Sequence, residues 1–125
     1  MGSIFVVMAG GALGAAMRYL LTSLAGWVFG HGFPAGTMLA NIIGSFAMGL
    51  LIGALALRSG TDPQIRLFLA TGFLGGFTTF SAFSLDAVTL YERGQLAAAA
   101  LYVGGSVVIS IAALFMGLHA MRSVG

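Results

Sequence analysis

Residues 72–84 read Gly72-Phe73-Leu74-Gly75-Gly76-Phe77-Thr78-Thr79-Phe80-Ser81-Ala82-Phe83-Ser84, in the middle of an uncharged, mostly apolar stretch from Leu67 to Leu85. A stretch of that length crosses a bilayer as a helix, which needs about 20 residues rising roughly 1.5 Å each. Adjacent glycines followed by two β-branched threonines are poor helix formers, so the run predicts a helix that breaks between Gly75 and Thr79. A break frees backbone amides and carbonyls at membrane depth, where each is strongly unfavourable against lipid. The freed groups must then be buried in protein or line a wet cavity, as in transporters whose half-helices hold ions: carbonyls for cations, helix N-termini for anions. A helix merely kinked at its glycines for packing is the alternative.

On either side of this stretch the few charges mark out three more spans. Together the spans fall at approximately 4–27, 33–57, 67–90 and 95–121. Polar breaks separate them: Gly30-His31-Gly32 before Pro34, then Arg58-Ser59-Gly60-Thr61-Asp62-Pro63, then Tyr91-Glu92-Arg93-Gly94. Such short turns make neighbouring helices antiparallel. Apolar residues are 59% of the 125 and charged residues 6%, with a mean hydropathy of +1.06. A soluble domain carries about 25% charged residues, so this chain lacks the charge to coat a surface that faces water. The expected fold is an all-α membrane protein, a single domain over residues 1–125 with four transmembrane helices, the third broken near its middle.

The same composition removes several function classes. The first span has no basic segment before it and no cleavage-like end, so it is expected to stay in the mature protein. Val6 stands where a myristoylation pattern after Gly2 needs Ser or Thr. With no cysteine there is no disulfide framework, thiol nucleophile or thiolate metal site. The net charge of +2 rests on five arginines and forms no patch for nucleic acid. His31 lies in a loop and His119 near the end, neither with a nucleophile or paired carboxylates, so no enzyme is expected. Arg58, Arg66 and Arg122 share one side of the membrane, opposite Arg93 and, by one placement, Arg18. That bias is slight enough to permit insertion in both orientations.

Polar residues inside the spans are not scattered. Thr37, Asn41 and Ser45 in the second span, and Tyr102, Ser106 and Ser110 in the fourth, each recur at four-residue spacing and share a helix face. Their hydroxyls and amide either bond within and between helices or line a path for a ligand. Small residues repeat similarly at Gly10 and Gly14, Ala40 and Gly44, Ser45, Gly49 and Gly53, and Ala100 and Gly104; tight helix packing explains them. Phe77, Phe80 and Phe83 recur every three residues on the arm expected after the break. Aromatic rings have a positive edge, so phenylalanines set beside hydroxyl and amide donors attract an anion weakly. Arg18 is the one charge well inside a span. It either snorkels to an interface or faces a water-filled vestibule, and no acidic residue in the first two spans pairs with it, which favours an anion as cargo.

Three stretches, GGALGAAMRY at Gly10 to Tyr19, GTMLANIIGSF at Gly36 to Phe46 and GFLGGFTTFSAFS at Gly72 to Ser84, closely resemble the signatures of the Fluc (CrcB) family of small dual-topology fluoride channels. They occur in order, and the resemblance covers the whole chain. The third stretch is highly specific; the first alone also fits a glycine-rich dinucleotide loop, but no βαβ unit surrounds it. The resemblance implies an antiparallel homodimer in a prokaryotic plasma membrane, with two pores that export fluoride passively and relieve its toxicity. It implies that Phe80 and Phe83 form a pore-lining aromatic box, that Asn41 donates to the permeating ion, and that Thr79 and Ser81 supply nearby hydroxyls. Tyr102, Ser106 and Ser110 resemble the family's polar track, and Arg18 its vestibule arginine. Gly75 and Thr78 correspond to positions whose carbonyls, from both subunits, hold a structural sodium ion (Na+) on the dimer axis. Ala82 stands where Thr is common and Asp86 where Glu is common; the second departure bears on conduction rate.

Rival classes fit less well. A four-span multidrug exporter of cations wants an acidic residue in the first span, and none is there. A potassium filter would read TVGYG, whereas Thr71-Gly72-Phe73-Leu74-Gly75 does not, and a pore helix is missing. Neither a nucleotide motif nor an embedded carboxylate pair couples energy to transport. A structural protein, in which break and stripes serve packing alone, stays open at this level.

Overall fold

The computed structural model describes residues 2–58 and 60–124. Met1, Gly125 and Ser59 of the second polar break lie outside the described residues. Helix α1 (Gly2–Phe29) and helix α2 (Ala35–Leu57) form the first two spans. The third span, Pro63–Glu92, contains α3 (Pro63–Arg66), a π-helical segment π1 (Leu67–Leu74), α4 (Gly75–Phe77) and α5 (Phe80–Glu92). Helix α6 (Leu96–Val124) is the fourth. Four helices are therefore long and apolar enough to cross a membrane, and the described residues contain no strand.

Local chemistry sets the ends of these helices. At the start of α3 the Asp62 carboxylate accepts from Gln64 N–H at 2.9 Å, and Pro63 occupies a position whose amide has no helical partner anyway. At the end of α5, Gly94 adopts φ +78°, which lets its N–H reach the Tyr91 carbonyl and the Gln95 N–H reach Leu90. The chain thereby reverses directly into α6.

Small residues decide which helices meet. Helix α2 lies against α6 with Gly49 and Gly117 on facing backbones, and α1 lies against π1 and α4. A Cβ built on Gly10 would stand 2.5 Å from the Phe68 carbonyl, so α1 and π1 are in backbone contact there. Gly10, Gly14, Ala40, Gly44, Gly49 and Gly53 are buried as packing requires. Ala100 and Gly104 are not: they face outward, and space is open around Gly104. Their spacing serves no contact among the four helices, because that face of α6 points away from the bundle.

The third span breaks at Thr78 and Thr79, whose φ/ψ of −90°/157° and −153°/126° are extended. The glycines expected to start the break stay helical, Gly75 at φ −63° and ψ −37°. Their lack of a side chain serves contact instead: a Cβ on Gly76 would lie 2.6 Å from the Gly11 carbonyl. Phe77 consequently belongs to the first arm, stacked on Phe73 with ring centroids 6.2 Å apart, and not with Phe80 and Phe83 beyond the break. Gly44 of α2 faces the break, where any Cβ would run into the Thr78 methyl. Gly44→Val is expected to destabilise the fold by about 1–3 kcal/mol through overpacking. A lowered unfolding midpoint in detergent checks this.

Candidate ion pathway

Several backbone groups freed by the break find partners close by. The N–H and Oγ1 of Thr78 both donate to the Leu74 carbonyl, at 3.0 and 2.9 Å, and finish the first arm. Thr79 is held by Asn41 on both sides: its N–H donates to Asn41 Oδ1 at 2.7 Å, and its carbonyl accepts from Asn41 Nδ2 at 3.0 Å. Thr79 Oγ1 caps α5 by accepting from Ala82 N–H at 3.2 Å, and lies 3.2 Å from Ser81 Oγ. Arg18 Nε donates to the Gly76 carbonyl at 3.3 Å. The guanidinium thus sits at the negative end of the first arm, where a cation is favoured. These diversions take the helical donors from the Gly75 and Thr78 carbonyls. The helical donor for Gly75 would be Thr79 N–H, now on Asn41, and the donor for Thr78 would be Ala82 N–H, now on Thr79 Oγ1.

Beside the break opens a cleft of about 370 Å³ between α2, α5 and α6. Asn41, Ser45, Thr79, Phe80, Phe83, Ser106 and Ser110 line it, with no charged side chain among its walls. Ser106 Oγ and Ser110 Oγ are buried and have no hydrogen-bond partner. A helical serine ordinarily bonds back to its own helix; these two do not, so their donors remain for something in the cleft. Asn41 uses one amide hydrogen on Thr79 and keeps the other. The N-terminus of α5 adds the positive end of a helix dipole at the same place. Phe83 is 8% exposed while Phe80 is 78% exposed, their centroids 5.7 Å apart. The cleft gathers hydroxyl and amide donors, two phenylalanine rings and a helix N-terminus, a set that suits a small anion.

Tyr102 stands apart from the two serines that share its stripe. It is fully buried and lines no part of this cleft; its ring lies 5.2 Å from Phe83 and edge-on to Phe33 at 5.5 Å. Its Oη donates to Asp86 Oδ2 at 3.2 Å. Ser81 is exposed at the first turn of α5 and meets the site only through Thr79.

A family model described as CrcB-like protein, Camphor Resistance (CrcB), matches residues 5–118. The chain belongs to this CrcB-like family. A relative from Chelativorans sp. (strain BNC1), named fluoride-specific ion channel FluC, is 54% identical over 97% of both chains. Another of that name from Cereibacter sphaeroides is 55% identical over 96% of this chain and 94% of its own, and one from Agrobacterium fabrum is 50% identical over 98% of each.

In this CrcB-like chain, two features escape a reading of the residues. The π1 segment has no signal in the residues; it lies where Gly72 meets Gly10 of α1, backbone to backbone. The pairing of Asp86 with Tyr102 joins residues 16 apart on separate helices, which no helical periodicity reveals. The bond from Arg18 to Gly76 likewise adds a use beyond the two open to that residue, that of capping the broken helix.

Proposed function

We propose that two copies of this chain, inserted antiparallel, form a fluoride channel that lets the ion leave a prokaryotic cell passively across the plasma membrane. The chain is a multi-pass membrane protein and a channel subunit, not an enzyme. The buried, unpartnered hydroxyls of Ser106 and Ser110 carry the reading: an uncharged cleft that keeps hydroxyl donors free beside two phenylalanines fits a small, strongly hydrogen-bonding anion. The name shared by the bacterial relatives specifies the anion as fluoride. In this reading Phe80, Phe83, Asn41, Ser106 and Ser110 touch the ion, Thr79 and Ser81 orient the entry, and Tyr102 backs Phe83 at the end of the track.

A second copy is supported by what one chain leaves open. Phe80 is 78% exposed, and Gly75 is exposed at membrane depth with a carbonyl that has lost its helical donor. Among the described residues no cluster of acidic, histidine or cysteine side chains suits a metal, but carbonyls suffice for a monovalent hard cation. Gly75 and Thr78 from two subunits would offer four such oxygens to a sodium ion, which would neutralise the facing C-terminal ends of the first arms. The weak arginine bias agrees with subunits inserted in opposite senses.

Purified protein in liposomes should release fluoride rapidly and chloride hardly at all. Folded protein without fluoride efflux would refute the function. Replacing sodium with a much larger organic cation is expected to slow efflux and loosen the dimer on size exclusion; unchanged efflux and elution would remove the sodium site.

A further inference from the structure

Arg18 is the one charged side chain well inside a span, and the first two spans hold no carboxylate to pair with it. Its Nε donates instead to the Gly76 carbonyl at 3.3 Å, across 58 residues of sequence. Packing explains how it gets there. A Cβ on Gly10 would meet Phe68 and Gly72, and one on Gly14 would run into the Phe73 carbonyl, so α1 and the first arm of the third span run side by side in the same direction. Arg18 stands one turn beyond Gly14, level with the break. A helical side chain leans toward its own N-terminus, which carries the guanidinium back over the last turn of the arm.

That turn has little of its own to hold it. Gly75 and Gly76 have no side chains, and a peptide plane between glycines turns over at small steric cost. Helix α1 grips Gly76 from two directions: the Gly11 carbonyl lies 2.6 Å from where a Cβ on Gly76 would be, and Arg18 takes the Gly76 carbonyl. Gly75 faces outward and is exposed, and its carbonyl has lost the Thr79 N–H to Asn41. The direction of the Gly75 oxygen therefore depends on its neighbour, and Arg18 fixes that neighbour.

We propose that Arg18 is a positioning residue for cation binding between two copies of the chain: by pinning the Gly76 carbonyl it keeps the Gly75 carbonyl turned outward, toward its counterpart in the second copy. The proposal rests on the sodium-binding reading above, and Arg18 itself does not touch the ion. A guanidinium charge alone would repel a cation, so the two effects of Arg18 on sodium affinity have opposite signs. Orientation outweighs repulsion because the site consists of the Gly75 and Thr78 carbonyls, and turning Gly75 away in both subunits removes half of its oxygens.

The sodium concentration that gives half of the thermal stabilisation tests this, measured on purified protein in detergent as sodium chloride replaces N-methylglucamine chloride at constant ionic strength. Stabilisation by a bound ion follows its occupancy, so the reading needs no fluoride flux. Arg18→Met keeps much of the stem but has neither donor nor charge, and should raise the half-effective concentration roughly tenfold, as loss of a charge-assisted hydrogen bond implies. Arg18→Lys, whose ammonium can still donate to the Gly76 carbonyl, should return it to within about threefold of wild type. Elution as wild type at saturating sodium verifies that both variants fold. A half-effective concentration that is unchanged or lower in Arg18→Met, or equally raised in Arg18→Lys, overturns the proposal while leaving the sodium site intact. Wild-type melting that does not respond to sodium overturns the sodium reading and this one with it.

Discussion

Phe83→Ile should cut fluoride flux by about 2- to 13-fold while the protein still folds and pairs, the loss expected when one aromatic contact worth about 0.5–1.5 kcal/mol is removed from the ion's path. Isoleucine keeps the site apolar but has no positive ring edge. Phe83 also supports Tyr102 at 5.2 Å and Phe80 at 5.7 Å, and a β-branched side chain of smaller reach lets both rings shift. Phe80→Ile tests the same idea with less structural consequence, because Phe80 is 78% exposed and packs little within its own chain. Liposome efflux with size exclusion alongside checks both variants. Normal flux in both would remove the ring-edge account.

Asn41→Ala is expected to abolish conduction and lower stability by about 1–3 kcal/mol, since it leaves the N–H of Thr79 unsatisfied in a part-buried site and takes a second donor from its carbonyl. The amide reaches both Thr79 groups at once, at 2.7 and 3.0 Å: it replaces the helical acceptor that the Thr79 N–H has lost and ties the start of α5 to α2 through the Thr79 carbonyl. Its loss would free Thr79 to abandon its capping of α5, with the hydroxyl donors of Ser106 and Ser110 left facing a distorted cleft. Unfolding midpoints in detergent and liposome efflux together check this. A variant that melts like wild type but conducts nothing would confine Asn41 to contact with the ion.

Much of the architecture is legible in the residues because its causes are local or compositional. Lipid forbids unpaired backbone, so four apolar runs with a charge-poor composition can only be helices. The third span reads as broken since Gly75 to Thr79 are poor helix formers wherever they occur. The site of the break is a different matter. Gly75 and Gly76 remain helical because they are pressed against α1, and the chain extends at Thr78 and Thr79 because Asn41, 38 residues away, receives Thr79. A stripe spaced by four likewise locates Ser106 and Ser110 on one face but is silent on which neighbour that face meets.

The sequence by itself determined the membrane as solvent, the number of spans, the interruption of the third and the family to which the motifs belong. Only the tertiary structure decided how the interruption is satisfied: Asn41 on Thr79, Arg18 on Gly76, and the Gly75 and Thr78 carbonyls without their helical donors. It also separated Tyr102 from the serines of its own stripe and set it against Asp86. The physical reason is range. Solvent choice and helix propensity act on each residue where it stands, whereas the partner of a freed hydrogen-bonding group is whichever donor or acceptor the packing of distant helices brings within about 3 Å.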